Sequence, residues 1–160
     1  VKFLTRSKDG GPESTVDAYW LFEVKGLLSV ALLRFGPGSR PVFHSHAFHS
    51  LNWLLRGKLF EHVLDPSKML VEQVRHVPSL RPVMTWRHTL HQVVSKGTSW
   101  VLTIRGPWQE HWLEYLPVPG TFCALEHGRG VVAEGLTGSE AAWLLWLAPR
   151  DVAERLRGMS

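Results

Sequence analysis

The sequence predicts a mainly β fold, a barrel or sandwich of short strands followed by one or two C-terminal helices. Three observations carry this. Short runs rich in β-branched, aromatic and aliphatic residues recur from Ala18 to Leu125, and such runs favour strands. Turn signals punctuate them at Lys25-Gly26, Gly36-Pro37-Gly38, Gly57-Lys58 and Asp65-Pro66-Ser67-Lys68. Beyond Leu136 the pattern becomes helical, opening with Thr137-Gly-Ser-Glu140, which has the form of a capping box.

The elements follow in order. Residues 7–16 are polar, contain Gly10-Gly11-Pro12, and read as a flexible lead-in. Strands are expected over 18–24, 27–35, 42–46, 49–56, 59–64 and 69–75. Pro78 and Pro82 then punctuate an extended passage. A strand over 89–94, a turn at Ser95-Lys-Gly-Thr98 and a strand over 100–105 read as a hairpin. One more strand is expected over 121–125, with Cys123 as a buried, inert thiol. Ala141 to Ala148 forms the first helix, and Pro149 can open a second with Asp151, Glu154 and Arg157 on its polar side. Trp143 and Trp146, three apart on that first helix, are expected in core packing. One domain over 1–160 is expected, with a barrel over about 18–126 and a helical tail over about 137–158.

Composition narrows the classes of function. The 44% apolar and 20% charged fractions are those of a globular protein. No apolar run approaches the ~20 residues that span a bilayer, and Val1 to Lys8 lacks the apolar core of a signal peptide. A single cysteine excludes an internal disulfide. Together these lead us to expect a cytoplasmic protein. The net charge of +4 is spread out, with no run of four Lys or Arg, so a nucleic-acid partner is not expected. Eight tryptophans suit a bulky core, an aromatic-lined pocket or a subunit interface. There is no nucleophile elbow, phosphate-binding loop or dinucleotide fingerprint.

The chemistry concentrates around His44 and His46. Residues i and i+2 of a strand share a face, so two imidazoles can grip one metal ion. His91 lies in another strand-like run. Three neutral imidazoles leave coordination positions open for chemistry.

The segment Gly38 to Gly57 resembles the first conserved motif of the cupin superfamily. Gly38, His44, His46 and Gly57 stand at the expected positions, and Ser50 replaces the motif glutamate. The second motif is represented by His91. Trp86 and His88 stand at its proline and glycine positions and Ser95 at its asparagine. The run Trp100 to Trp108 is similar to small single-domain cupin-like proteins of phages and bacteria. The resemblance spans about 36–105. It implies a double-stranded β-helix, or jelly-roll, barrel with a metal inside, held by His44, His46 and His91. A three-histidine set lacking the glutamate resembles that of thiol dioxygenases and some diketone-cleaving dioxygenases.

Such a set suits Fe(II) first, with Zn(II), Ni(II), Mn(II) or Cu(II) as alternatives. The leading expectation is a metal-dependent oxygenase acting on a small anionic or chelating molecule. A non-enzymatic sensor or binding barrel, and a zinc-type isomerase, lyase or hydrolase, are the other readings. His49 is out of phase with His46 unless Ala47-Phe48 bend. With a bend, it would be a fourth ligand or a hydrogen-bonding partner. Glu61 would approach the metal or orient a ligand. His88, three residues from His91, should face the other way. His62, His76, His111 and His127 have no spacing partner and read as structural or surface residues.

Arg40, Arg56 and Arg105 flank the motif or lie in its strands, and a guanidinium fork suits a carboxylate. Arg56 shares its face with Ser50 and Asn52, so all three are candidates for the pocket. Trp53 lies on the other face. Trp108 and Trp112 would wall a pocket or cap a barrel end. A homodimer through sheet edges is expected, because exposed edges need cover.

Overall fold

The computed structural model describes residues 1–11, 14–38, 42–127 and 130–158. Its strands are β1 (Lys2–Lys8), β2 (Val16–Val24), β3 (Leu28–Phe35), β4 (Ser50–Arg56), β5 (Leu59–Asp65), β6 (Leu70–His76), β7 (Pro82–Thr85), β8 (His91–Ser95), β9 (Ser99–Arg105), β10 (His111–Leu116), β11 (Thr121–Glu126) and β12 (Val131–Leu136). Helices α1 (Gly138–Trp146) and α2 (Pro149–Arg157) follow. No described helix is long and apolar enough to cross a membrane.

Two walls face each other in a jelly-roll barrel. One is a six-stranded antiparallel sheet in the order β1-β2-β3-β9-β4-β7. The other consists of two three-stranded sheets, β6-β5-β8 and β10-β11-β12. His44 stitches these two together. It bridges His91 of β8 on one side and Glu114 of β10 on the other. The predicted strand over 42–46 is therefore a one-residue seam.

Several expectations are corrected here. Strand β8 pairs with β5, whereas β9 pairs with β3 and β4 in the opposite wall. The turn at 96–98 thus crosses between walls and is not a hairpin. Gly57 lies in the turn that carries the chain from β4 in one wall to β5 in the other. It has φ +100°, and a Cβ there would sit 2.3 Å from Ser99 Oγ, so only glycine fits. The predicted lead-in partly belongs to the large sheet. Buried Asp17 of β2 makes ion pairs with Arg6, Lys8 and Arg34 at 3.3–3.4 Å, fastening β1 to its neighbours. Burial alone raises the Asp17 carboxyl, but the bonds from Lys8 and Arg6 reverse this and leave it below its ordinary range. Strands β1, β10 and β12 were not anticipated, and β7 lies within the predicted extended passage. Strands β1 and β10 are rich in polar residues, so their strand state comes from pairing more than from intrinsic preference.

The apolar residues form two cores. Inside the barrel, Ala18, Trp20, Leu33, Leu54, Leu59 and Val101 pack together. Outside the second wall, Phe122, Ala124, Leu113 and Leu136 meet Ala141 and Leu144 of α1 and Leu156 of α2. Phe122 to Leu125 are all buried, as a strand covered on both faces should be. Cys123 is among them, as expected. The capping box at Thr137 and Glu140 is formed, and Pro149 opens α2. Trp143 and Trp146 are not core residues; they are 48% and 73% exposed. Helix α1 turns Ala141 and Leu144 inward, which leaves both tryptophans on its outer face.

Candidate metal centre

The backbone explains how histidines distant in sequence meet. His44 and His91 exchange two N–H···O bonds, each 3.0 Å. In an antiparallel pair of this kind the two side chains emerge on the same side. His46 follows two residues on and shares that side. One ring nitrogen from each of His44, His46 and His91 lies within 4.8 Å of the others. His44 and His91 are buried and His46 is half-buried.

The rings are oriented from behind. His44 Nδ1–H donates to the Val42 carbonyl at 2.9 Å. His91 Nδ1–H donates to Glu61 Oε1 at 2.6 Å, deep inside the protein. Both assignments follow from the acceptors, since an oxygen anion or carbonyl cannot donate. Each neutral ring then carries its lone pair on Nε2. His46 Nε2 and His91 Nε2 are 2.7 Å apart. His91 Nε2 carries a lone pair, so without a metal His46 Nε2–H donates to it, and an ion would displace that proton. A metal–nitrogen bond near 2.1 Å would place neighbouring ligand nitrogens about 3 Å apart. The donor set therefore fits one transition-metal ion. A carboxylate–histidine pair behind the ligand is the usual means of fixing its tautomer and raising its basicity.

The three imidazoles line an interior cavity of about 100 Å³. Leu33, Leu54, Leu59, Val93 and Val101 make its apolar part, and Asn52, Thr103 and Arg105 its polar part. Ser50 and Asn52 do face inward. Asn52 Nδ2 donates to Ser50 Oγ at 3.0 Å and to Thr85 Oγ1 at 3.1 Å. Arg105 is 3% exposed and makes a two-pronged pair with Asp9, at 3.1 and 2.6 Å.

Other expected site residues lie elsewhere. His49 follows the anticipated bend, yet it turns away from the three imidazoles. Its Nδ1 accepts from the Arg87 backbone N–H at 3.1 Å, and its ring packs against Trp86 and His88. It is neither a fourth ligand nor a partner of one. Burial pushes His49 and His88 below the ordinary imidazole range; Arg87 adds to both shifts, and His49 adds to that of His88. Glu61 orients His91 rather than joining the three-histidine group. Arg56 is exposed and absent from the cavity wall. The β4–β9 register shifts between Leu54 and Arg56, pairing Arg56 with outward-facing Trp100. That irregularity breaks the alternation that predicted an inward side chain. Arg40 lies outside the described residues. Trp108 lies one layer out, in a cleft that adjoins the cavity at Asp9, His46 and Phe48. There it packs on Phe48 at 4.7 Å, with the Lys25 ammonium over its ring.

Sequence reasoning missed Asp9, Phe48, Thr85 and Thr103. Thr103 was findable, because it alternates in phase with Arg105 on β9. Asp9 carries no local signal.

No family model and no curated protein matches the chain. Solved structures do share its architecture. The polyketide cyclase RemF from Streptomyces resistomycificus aligns with TM-score 0.52 and 13% identity, over 64% of this chain and 73% of that one. The Fe(II) form of HppE aligns with TM-score 0.51 and 13% identity, over 63% of this chain and 55% of HppE, so little more than half of HppE is matched. KdgF from Halomonas sp. aligns with TM-score 0.50 and 15% identity, over 68% of this chain and 96% of that one. The fold is of the cupin type. Within this cupin-type barrel, four of the positions that carried the motif resemblance, His44, His46, Ser50 and His91, line the cavity. His44, His46 and His91 lie together on its wall, and Gly57 lets β4 connect to β5.

Proposed function

We propose that this cupin-type barrel holds one divalent transition metal through His44, His46 and His91 and acts as a metal-dependent oxygenase on a small anionic or chelating molecule. The observation that carries the reading is the convergence of three imidazole nitrogens in a buried cavity, with Nε2 of His91 set by a carboxylate behind it. Fe(II) is the metal we favour, since three neutral nitrogen donors suit it and HppE, which shares the fold, is described in its Fe(II) form. When bound, such an ion supplies Lewis acidity toward an anionic donor and one-electron chemistry toward dioxygen.

The chain's own residues do the rest. Glu61 and the Val42 carbonyl fix the rings of His91 and His44, so two of the three donors are oriented before an ion binds. Three neutral ligands leave the ion its full charge, which favours an anionic substrate. The apolar side chains of the wall lower the local dielectric, so polar contacts inside are stronger than they would be in water. An apolar cavity of about 150 Å³ takes benzene; one of about 100 Å³ suits a molecule of few heavy atoms.

The test is elemental analysis of untagged protein beside a His44→Ala/His46→Ala variant, followed by oxygen-uptake assays with thiols and diketones. Near-stoichiometric iron that is lost in the variant, with substrate-stimulated uptake, is the expected result. Zinc without oxygen dependence would move the reading to water activation. No metal in either protein, and no uptake after adding Fe(II), would refute it.

A further inference from the structure

We infer that Arg105 is the seat for a carboxylate of the substrate, and that Asp9 is the resident counter-ion which this carboxylate displaces. The inference rests on the metal-centre reading for the fate of the rest of the ligand. Arg105 projects from β9 into the cavity that holds the three imidazoles and is 3% exposed. A guanidinium stays charged at any working pH, so a buried one needs an anion beside it. Asp9 supplies that anion now. Arg105 Nη1 donates to Oδ1 at 3.1 Å and Nη2 to Oδ2 at 2.6 Å, the fork geometry that any carboxylate would reproduce.

The seat itself is rigid. The guanidinium lies 4.6 Å from the Phe48 ring and 5.2 Å from the Trp20 ring, and β9 is held between β3 and β4. Two buried polar atoms of this wall, Arg105 Nε and Thr103 Oγ1, have no hydrogen-bond partner among the described residues. Thr103 and Arg105 are two apart on one strand and face the same cavity. Buried polar atoms are nearly always paired, so this wall is built for a polar ligand larger than the Asp9 carboxylate alone.

Asp9 is the replaceable half of the pair. Its side chain is 26% exposed. It follows the edge strand β1 and precedes Gly10 and Gly11, which have φ of 99° and 102°. The end of an edge strand beside two glycines moves at less cost than a central strand. Asp9 also borders both the cavity and the outer cleft, which places it at their junction. Its departure would remove one negative charge from the cavity. A ligand with two anionic groups then balances the site, one group on Arg105 and one on the ion. The substrate class is a small carboxylic acid bearing a second, metal-binding anionic donor.

The experiment is calorimetric titration with malonate at pH 8, in metal-free and Co(II)-loaded protein. Wild type is compared with Asp9→Asn, Arg105→Gln and Arg105→Lys, and thermal melts check the fold of each. Asp9→Asn should bind malonate about tenfold tighter than wild type, the scale of one hydrogen bond to a charged group. Arg105→Gln should lose binding, and Arg105→Lys should weaken it because the charge remains while the fork is lost. Should Arg105→Gln fail to fold, Asp9→Asn and Arg105→Lys still decide the matter. Equal affinity in all proteins means malonate meets the ion alone and overturns the inference, as does absence of binding by Asp9→Asn. Co(II) retained without an Asp9 effect overturns the seat and leaves the metal centre standing. An Asp9 effect in protein that holds no Co(II) supports the seat and overturns the metal centre.

Discussion

Replacing Glu61 tests whether the metal centre is tuned from behind its ligands. The Glu61 and His91 side chains are 4% and 6% exposed, and their hydrogen bond is 2.6 Å long. A bond of that kind with one charged partner contributes about 1.5–3 kcal/mol. Each ~1.4 kcal/mol corresponds to a decade of affinity, so about 10–100-fold in metal affinity is at stake. Glu61→Gln keeps a carbonyl oxygen that can accept from His91 Nδ1–H but loses the charge. It should sit near the lower end, about tenfold. Glu61→Ala removes the acceptor and frees the ring to rotate, and should approach about 100-fold. Competition for Co(II) against a chromophoric chelator measures the affinities, with His91→Ala as the reference for a lost ligand and circular dichroism melts as a check on folding. Wild-type affinity in Glu61→Ala would refute the argument that Glu61 sets the ring. Loss in Glu61→Gln equal to that in His91→Ala would show that Glu61 is itself a ligand.

Three further outcomes follow from the fold. Gly57→Ala places a Cβ against Ser99 at φ +100° and should destabilise the protein by about 3 kcal/mol, read as a lower urea midpoint; an unchanged midpoint would contradict the close crossover. Thr137→Ala breaks the capping box of α1 and should cost about 1 kcal/mol in the same assay, with Thr137→Ser restoring most of it. The folded-state pKa values of His49 and His88 lie below the unfolded imidazole value, so the unfolded chain binds more protons in this range. The stability they contribute is present above about pH 6.5 and is lost as pH falls toward their folded values. The urea midpoint should drop from pH 7.5 to 5.5, and less steeply in His49→Gln/His88→Gln; an equal slope in that variant would assign the effect to other groups.

Local pattern carried much of the architecture. The turn at Lys25-Gly26, the capping box at Thr137 and Glu140, and the proline start of α2 depend only on residues close in sequence, and the chain shows them directly. The alternation of β9 is equally legible, with Ser99, Val101, Thr103 and Arg105 buried in turn. Strands β1 and β10 were not legible, because polar-rich segments become strands only when a neighbour pairs with them. In β12, Gly135, with φ 72°, interrupts the pattern. Trp143 and Trp146 misled for a related reason. A helix buries the face that its partner sheet covers, and here Ala141 and Leu144 occupy that face.

The same division runs through the candidate site. By itself the sequence determined that His44 and His46 share a side and that the Gly38–Gly57 segment has the form of a cupin motif. Only the tertiary structure decided that His44 pairs with His91, that Glu61 stands behind His91, and that His49 turns toward Trp86 and His88. It also decided that Arg56 leaves the cavity wall while Arg105 stays in it, facing Asp9 across a sequence separation of 96. The reason is physical. Spacing along one strand follows from backbone geometry, which is local. Pairing register, bulges and the meeting of distant charges are chosen by which long-range arrangement buries the most apolar surface while satisfying every buried polar group.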